Sequence, residues 1–131
     1  MTNVGPKRLL QCVSIALFLV MMGAVADPAR ANPILEDGLS RLAGTLGAVH
    51  YLRTLCRPSE GQQWRNKMLD ILSSNDIDQS SRNALIGAFN AGYSRQQTAH
   101  SRCTAAAANL GNTYARQGAQ QARQLAGRLG G

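Results

Sequence analysis

The stretch PILEDGLSRLAGTLGAVHYLRTLC, residues 33–56, decides the fold. Within it Leu35, Leu39, Leu42, Leu46, Val49, Leu52 and Cys56 recur at steps of four and three, the spacing that keeps side chains on one side of an α-helix. Pro33 suits a first helical turn, where its missing N–H costs nothing. Glu36 and Asp37 lie at the positive end of the helix dipole, and Pro58 stands just beyond the expected stop. The spacing predicts a helix from Pro33 or Ile34 to about Cys56. Ala43, Gly44, Gly47 and Ala48 flank the stripe. Small residues there let another helix approach closely, although an interior glycine weakens a helix by about 1 kcal/mol.

Reading outward toward the C-terminus, Ser59-Glu60-Gly61-Gln62 has the form of a capping box that opens a second, short helix. Its apolar positions are Trp64, Met68, Ile71 and Leu72, and Ser73-Ser74-Asn75-Asp76 ends it with side chains that compete for backbone hydrogen bonds. Asp78 or Ser80 caps a third helix with Leu85, Ile86, Phe89 and Tyr93 as its buried stripe, while Asn90 and Gly92 mark a bend or a close helix contact. From about Ser101 a fourth helix carries Cys103, Ala107, Leu110, Tyr114, Ala122, Leu125 and Leu129. Its glycines at 111, 118 and 127 predict fraying before Gly130-Gly131. No segment alternates apolar and polar residues as a half-buried strand does. The expectation is an all-α domain, a small bundle of about four helices over residues 32–131, with no linker dividing it.

Residues 1–31 read as a secretion signal. Lys7 and Arg8 supply the positive start, and Leu9 to Met22 is almost wholly apolar, too short to span a bilayer comfortably. Two small-residue cleavage sites follow, Ala24-Val25-Ala26 and Ala29-Arg30-Ala31, of which the second opens the structured part cleanly at Asn32-Pro33. An uncleaved anchor is the plainer alternative. A lipoprotein is disfavoured because Leu9-Leu10-Gln11-Cys12 lacks a small residue before the cysteine. Removal of the signal discards Cys12 and leaves Cys56 and Cys103, an even pair in the oxidising periplasm, which favours one disulfide. In the chain-entropy model, closing that loop of 47 residues stabilises a thin core by about 4 kcal/mol.

The formal charge of +7 is unevenly spread. Residues 32–78 hold five basic and six acidic side chains, whereas residues 79–131 hold Arg82, Arg95, Arg102, Arg116, Arg123 and Arg128 and no acid. Such a bias draws a protein to an anionic envelope surface or to an acidic face of an envelope protein; an ordinary solvated basic face is the competing reading. Nucleic acid is a poor partner for an exported chain with few aromatic side chains to stack on bases.

No sequence signature of an enzyme is present. C-x-x-C, C-x-x-C-H, H-E-x-x-H and G-x-S-x-G are all missing, and the acids form no obvious catalytic pair. His50, Cys56, His100 and Cys103 supply metal-ligand chemistry, but His50 and Cys56 are six residues apart and face different sides of a regular helix, and a disulfide would occupy both sulfurs. The expectation is no cofactor, no metal and no catalysis.

The stretch Leu46-Gly47-Ala48-Val49-His50-Tyr51-Leu52-Arg53-Thr54-Leu55-Cys56, followed by Trp64-Arg65, Met68, Ala88-Phe89-Asn90-Ala91-Gly92-Tyr93 and Cys103-Thr104, resembles a family of small exported alphaproteobacterial proteins of unknown function. The likeness covers about residues 35 to 115 and departs after Tyr114, where glycine and glutamine become abundant. It implies an envelope protein with a helical domain and two characteristic cysteines, and no activity. A purely structural account has Trp64 and Phe89 filling the space beside the disulfide and Gly92 packing on Gly47. The functional rival is a binding surface of His50, Tyr51, Arg53, Arg65, Asn90, Tyr93 and Arg95, polar residues that border the apolar stripes. The reading that follows is a periplasmic accessory protein that works by binding; the alternative is a small periplasmic stress protein or chaperone, and a metal-handling protein with free thiols is a third class.

Overall fold

The computed structural model describes residues 32–74 and 76–130; the expected signal segment, Cys12 and both cleavage sites lie outside the described residues. Four helices follow one another: α1 (Pro33–Cys56), α2 (Pro58–Leu72), α3 (Gln79–Ala99) and α4 (Ala105–Leu129). The described residues contain no strand, so the all-α bundle read from the sequence is the fold.

Helix α1 begins where its first turn is best satisfied. The Asn32 side chain accepts from the N–H of Ile34 at 3.1 Å, and Pro33 follows at the first helical position. What the stripe pattern understates is how thoroughly α1 is enclosed. Thr45, Leu46, Gly47, Ala48 and Val49 are all buried, and five consecutive buried residues leave no solvent face on that part of a helix. The reason is topological: α2, α3 and α4 each pack on α1, α2 only grazes α3, and α4 comes within packing distance of neither α2 nor α3 among the described residues. Helix α1 is therefore the axle of the fold.

The glycines and alanines of α1 set the packing distances. A Cβ on Gly47 would collide with the carbonyl oxygen of Phe89, and a Cβ on Gly92 would collide with that of Gly44. Gly92 thus faces the Gly44 carbonyl, while Gly47 faces the backbone between Phe89 and Tyr93, the segment that contains Gly92. On the α4 side, Gly111 and Gly118 turn inward, where added Cβ atoms would meet Leu52 and Thr45 at 3.4 Å. These two glycines mark a helix contact, and α4 runs from Ala105 to Leu129.

Three local expectations shift. Helix α2 starts at Pro58 with Arg57 before it, and no side chain caps it; Glu60 instead reaches Arg57 and Arg53, and Gln62 reaches Asn66, so the capping box does not form. Helix α4 starts at Ala105, because Thr104 accepts from the N–H of Ala107 at 3.1 Å, which puts Cys103 in the preceding loop and not on a helical stripe. Ile86, expected in the α3 stripe, is 43% exposed, whereas Leu85 is buried. Asp78 caps α3 as one of the two expected candidates, accepting from the N–H of Ser81 at 2.8 Å.

The core cluster comprises Leu42, Ala43, Leu46, Met68, Leu85 and Leu125, with Trp64 and Phe89 packed against it. Both aromatics are partly buried at the edge of that cluster. Cys56 and Cys103 are bonded, with Cα atoms 5.0 Å apart, joining the end of α1 to the loop before α4.

Candidate functional site

His50, Tyr51 and Tyr93 come together where α1 crosses α3. The His50 ring lies 5.7 Å from that of Phe89 and 5.6 Å from that of Tyr93, and Tyr51 meets Tyr93 edge to face at 5.1 Å. The polar atoms of this corner serve the fold. His50 Nδ1 lies 2.9 Å from the carbonyl of Gly61 in α2, and because a carbonyl only accepts, that nitrogen carries the proton. The Tyr51 hydroxyl donates to the carbonyl of His100, the residue that ends α3. One aromatic corner of α1 therefore fastens both α2 and the loop that leads to the disulfide.

Arg53, although three residues from His50, faces elsewhere. It is only 8% exposed; Nη2 donates to Asn112 Oδ1 on α4 at 3.0 Å, and Nε lies 3.5 Å from Glu60 Oε2 on α2. Arg57 shares that carboxylate at 3.1 Å. A guanidinium has five donors in a rigid fork, which lets one side chain tie three helices. Arg65, Asn90 and Arg95 are exposed and join neither cluster; Arg95 reaches back toward Gly44 of α1. Of the seven residues singled out from sequence, three assemble in the aromatic corner, one bridges helices, and three stand apart.

Two functional-looking pairs escaped the sequence reading. Glu60 was read as part of a capping box, and Asn112 carries no local signal at all. Gln96 is buried and donates to the Tyr114 hydroxyl at 3.3 Å, across the gap between α3 and α4. Its position was legible: Leu85, Phe89, Gly92 and Gln96 step by four, three and four along one face, but a polar side chain does not register in an apolar pattern.

Because α3 and α4 flank α1 without close backbone approach to each other, the bundle has grooves. One, of about 440 Å³, runs between them over Ser40 and Gly44 and is bordered by Arg41, Arg95, Tyr114 and Gln121. A larger one, of about 680 Å³, opens at the pole where α1 and α3 begin and α2 and α4 end. Its apolar lining is Leu35, Leu39, Ile71, Ile77, Leu85 and Leu129, and its carboxylates are Glu36, Asp37, Asp76 and Asp78. Ionised Asp78 is held below the ordinary carboxylate range, first by the backbone N–H of Ser81 and further by the Ser81 hydroxyl, the Ser80 N–H and the Arg82 guanidinium. Two of the three arginines of α4 face away from the core: Arg116 and Arg123, seven residues apart, fall opposite the buried positions Gly118 and Leu125.

No group of three or more potential metal ligands gathers among the described residues, and no described helix is long and apolar enough to cross a membrane. No curated protein and no solved structure is detectably similar to the chain. A model of a protein family does match, over residues 35–129, from the third residue of α1 to the last of α4. The match takes in every helix, the disulfide and the glycine contacts, and with it the chain belongs to the family of proteins of unknown function DUF2385.

Proposed function

We propose that this chain is an exported, non-catalytic protein of the bacterial periplasm that works by binding another component of the cell envelope. The observation that carries the reading is the open pole of the bundle. A small domain normally closes its core, yet here Ile34 and Leu129 are 59% and 70% exposed beside a groove lined by core leucines and isoleucines. Export is supported by the signal-like residues 1–31 and by a cysteine pair that is oxidised in the fold, as an oxidising compartment favours. The lack of an enzyme motif, together with polar side chains at the aromatic corner that are already committed to backbone partners, supports binding over catalysis. The basic outer side of α4 is suited to hold the protein near anionic envelope surfaces while the pole engages its partner.

A stress-chaperone role is the second reading, favoured by the exposed Leu69 and Ile86 in addition to the pole. Fractionation with thiol counting, followed by crosslinking from position 129 in the intact envelope, tests the first reading. The expected result is a periplasmic protein with no free thiol before reduction and one discrete crosslinked partner. A cytosolic location with two free thiols overturns it. Suppression of aggregation of many unrelated clients, without a discrete partner, turns the assignment to the chaperone.

A further inference from the structure

The groove at the pole is acidic in a chain that carries a net charge of +7. Four carboxylates border it, and no lysine, arginine or histidine lines it. Helix chemistry accounts for part of this, since Asp78 caps α3 and Glu36 lies in the first turn of α1, where negative charge complements the dipole. It does not account for Asp76, which precedes α3 without capping it. Asp37 is paired with Arg41, and Asp78 lies in the field of Arg82, whose guanidinium donates to the Ser74 carbonyl, but Glu36 and Asp76 form no ion pair among the described residues. Apolar side chains and carboxylates line the same groove, the combination of contacts from which an interface with an apolar centre and polar surroundings is built.

We propose that this groove docks a cationic amphipathic peptide segment of a partner protein, with an apolar stripe seated on Leu35, Leu39, Ile71 and Leu129 and flanking lysines or arginines on Glu36 and Asp76. The proposal rests on the reading of the protein as a binding module and adds the chemistry of what is bound. Charge complementarity selects the occupant. An acidic segment would bring carboxylates against four others, and the basic outer side of this same chain lacks an apolar stripe alongside its arginines. The volume, about 680 Å³, falls within the roughly 300–1,000 Å³ of ligand sites. A small organic cation would pair with the carboxylates but leave most of the apolar lining uncovered. A peptide uses both.

The test measures binding of a labelled synthetic peptide of leucine and lysine in helical repeat to the full exported protein, beside a matched peptide of leucine and glutamate. The expected result is saturable binding of the lysine peptide, weakened by added salt, and none of the glutamate peptide. Glu36→Gln with Asp76→Asn should weaken binding about tenfold, and Leu129→Gln about tenfold, through separate losses of charge and of apolar contact. All three positions are exposed, so melting curves should be little changed, which separates lost binding from lost folding. Equal binding of both peptides, or no effect of either variant, overturns the proposal. So does a homodimer in sedimentation that Leu129→Gln dissociates, since a second copy then fills the groove. A discrete envelope partner crosslinked at position 129 through a segment without basic residues overturns the cationic chemistry and leaves the binding role standing. Failure to crosslink any partner, with the lysine peptide still bound, removes the binding role in the envelope instead.

Discussion

Gly92 of α3 faces the backbone of Gly44 in α1 so closely that a methyl group on Gly92 would collide with the Gly44 carbonyl. The contact repeats one turn away, where Gly47 faces the carbonyl of Phe89. Backbone-to-backbone approach of this kind draws α3 onto the axle helix and so places Phe89 and Tyr93 beside His50.

Gly92→Ala should therefore destabilise the domain by about 2 kcal/mol, because the added Cβ meets backbone, which yields less readily than a side chain. Intrinsic helix propensity alone would predict the opposite sign. Gly87→Ala isolates that effect, since a Cβ there meets nothing within 4 Å, and it should stabilise by up to about 1 kcal/mol. Thermal unfolding of the two variants should show shifts in opposite directions, with Gly92→Ala lowering Tm by about 10 °C. Equal shifts would remove the backbone contact as the cause.

Much of this arrangement is legible in the sequence, and the parts that are not fail for identifiable reasons. The stripe from Leu35 to Cys56, Pro33 and Pro58 bound α1 correctly, because periodicity and proline act within a few residues. The partner of each glycine is a matter of how far one helix slides along another, so the sequence brings Gly92 to α1 without saying that a Cβ there would strike the Gly44 carbonyl. Gly111 and Gly118 carry the same ambiguity, since an interior glycine reads as weakness until the helix it touches is known. The long-range polar links, Arg53 to Asn112 and Gln96 to Tyr114, join residues 59 and 18 positions apart and have no local pattern to announce them. The acidic groove was hidden for a related reason: Glu36 and Asp76 are 40 residues apart and meet only because α1 and α3 start at the same pole.

The disulfide closes a loop that contains all of α2 and α3. Removing it by Cys56→Ser with Cys103→Ser should cost about 4 kcal/mol in the chain-entropy model, mostly by freeing the unfolded chain. Denaturant titration of the oxidised protein and of the double variant checks this through the midpoint. The variant should still fold at low temperature, since the core cluster does not include the sulfurs. An unchanged midpoint would mean that the bond adds nothing to stability.

Arg53 is buried with one carboxylate in reach, so the cost of losing that carboxylate should exceed the cost of losing its other partner. Glu60→Gln leaves the guanidinium enclosed without an anion, and a loss of about 1 to 3 kcal/mol is expected, below the value for a fully enclosed pair because Glu60 retains some exposure. Arg57→Gln removes only an exposed contact and should cost less than about 0.5 kcal/mol. Asn112→Ala tests the α4 end of the same bridge, and should act additively with Arg57→Gln but not with Glu60→Gln, because Asn112 and Glu60 share the guanidinium.

Asp78 gives the fold an acid-sensitive edge whose sign can be worked out. Its carboxylate is held below its ordinary value of 3.8, chiefly by the N–H of Ser81, so the ionised form is favoured more in the folded protein than in the unfolded chain. The resulting stabilisation is fully present above the ordinary value and is lost as pH falls through the lower, folded one. Asp78→Asn keeps a side-chain oxygen that can cap α3 but no longer titrates, whereas Asp78→Ala loses the cap at every pH. Near neutrality both the native protein and the asparagine variant should melt above the alanine variant. As the pH is lowered through the carboxylate range, the advantage of the native protein over alanine should shrink while that of asparagine persists. Melting curves that keep the native and asparagine proteins parallel down to the most acid pH would show that the Ser81 contact does not depend on the charge of Asp78.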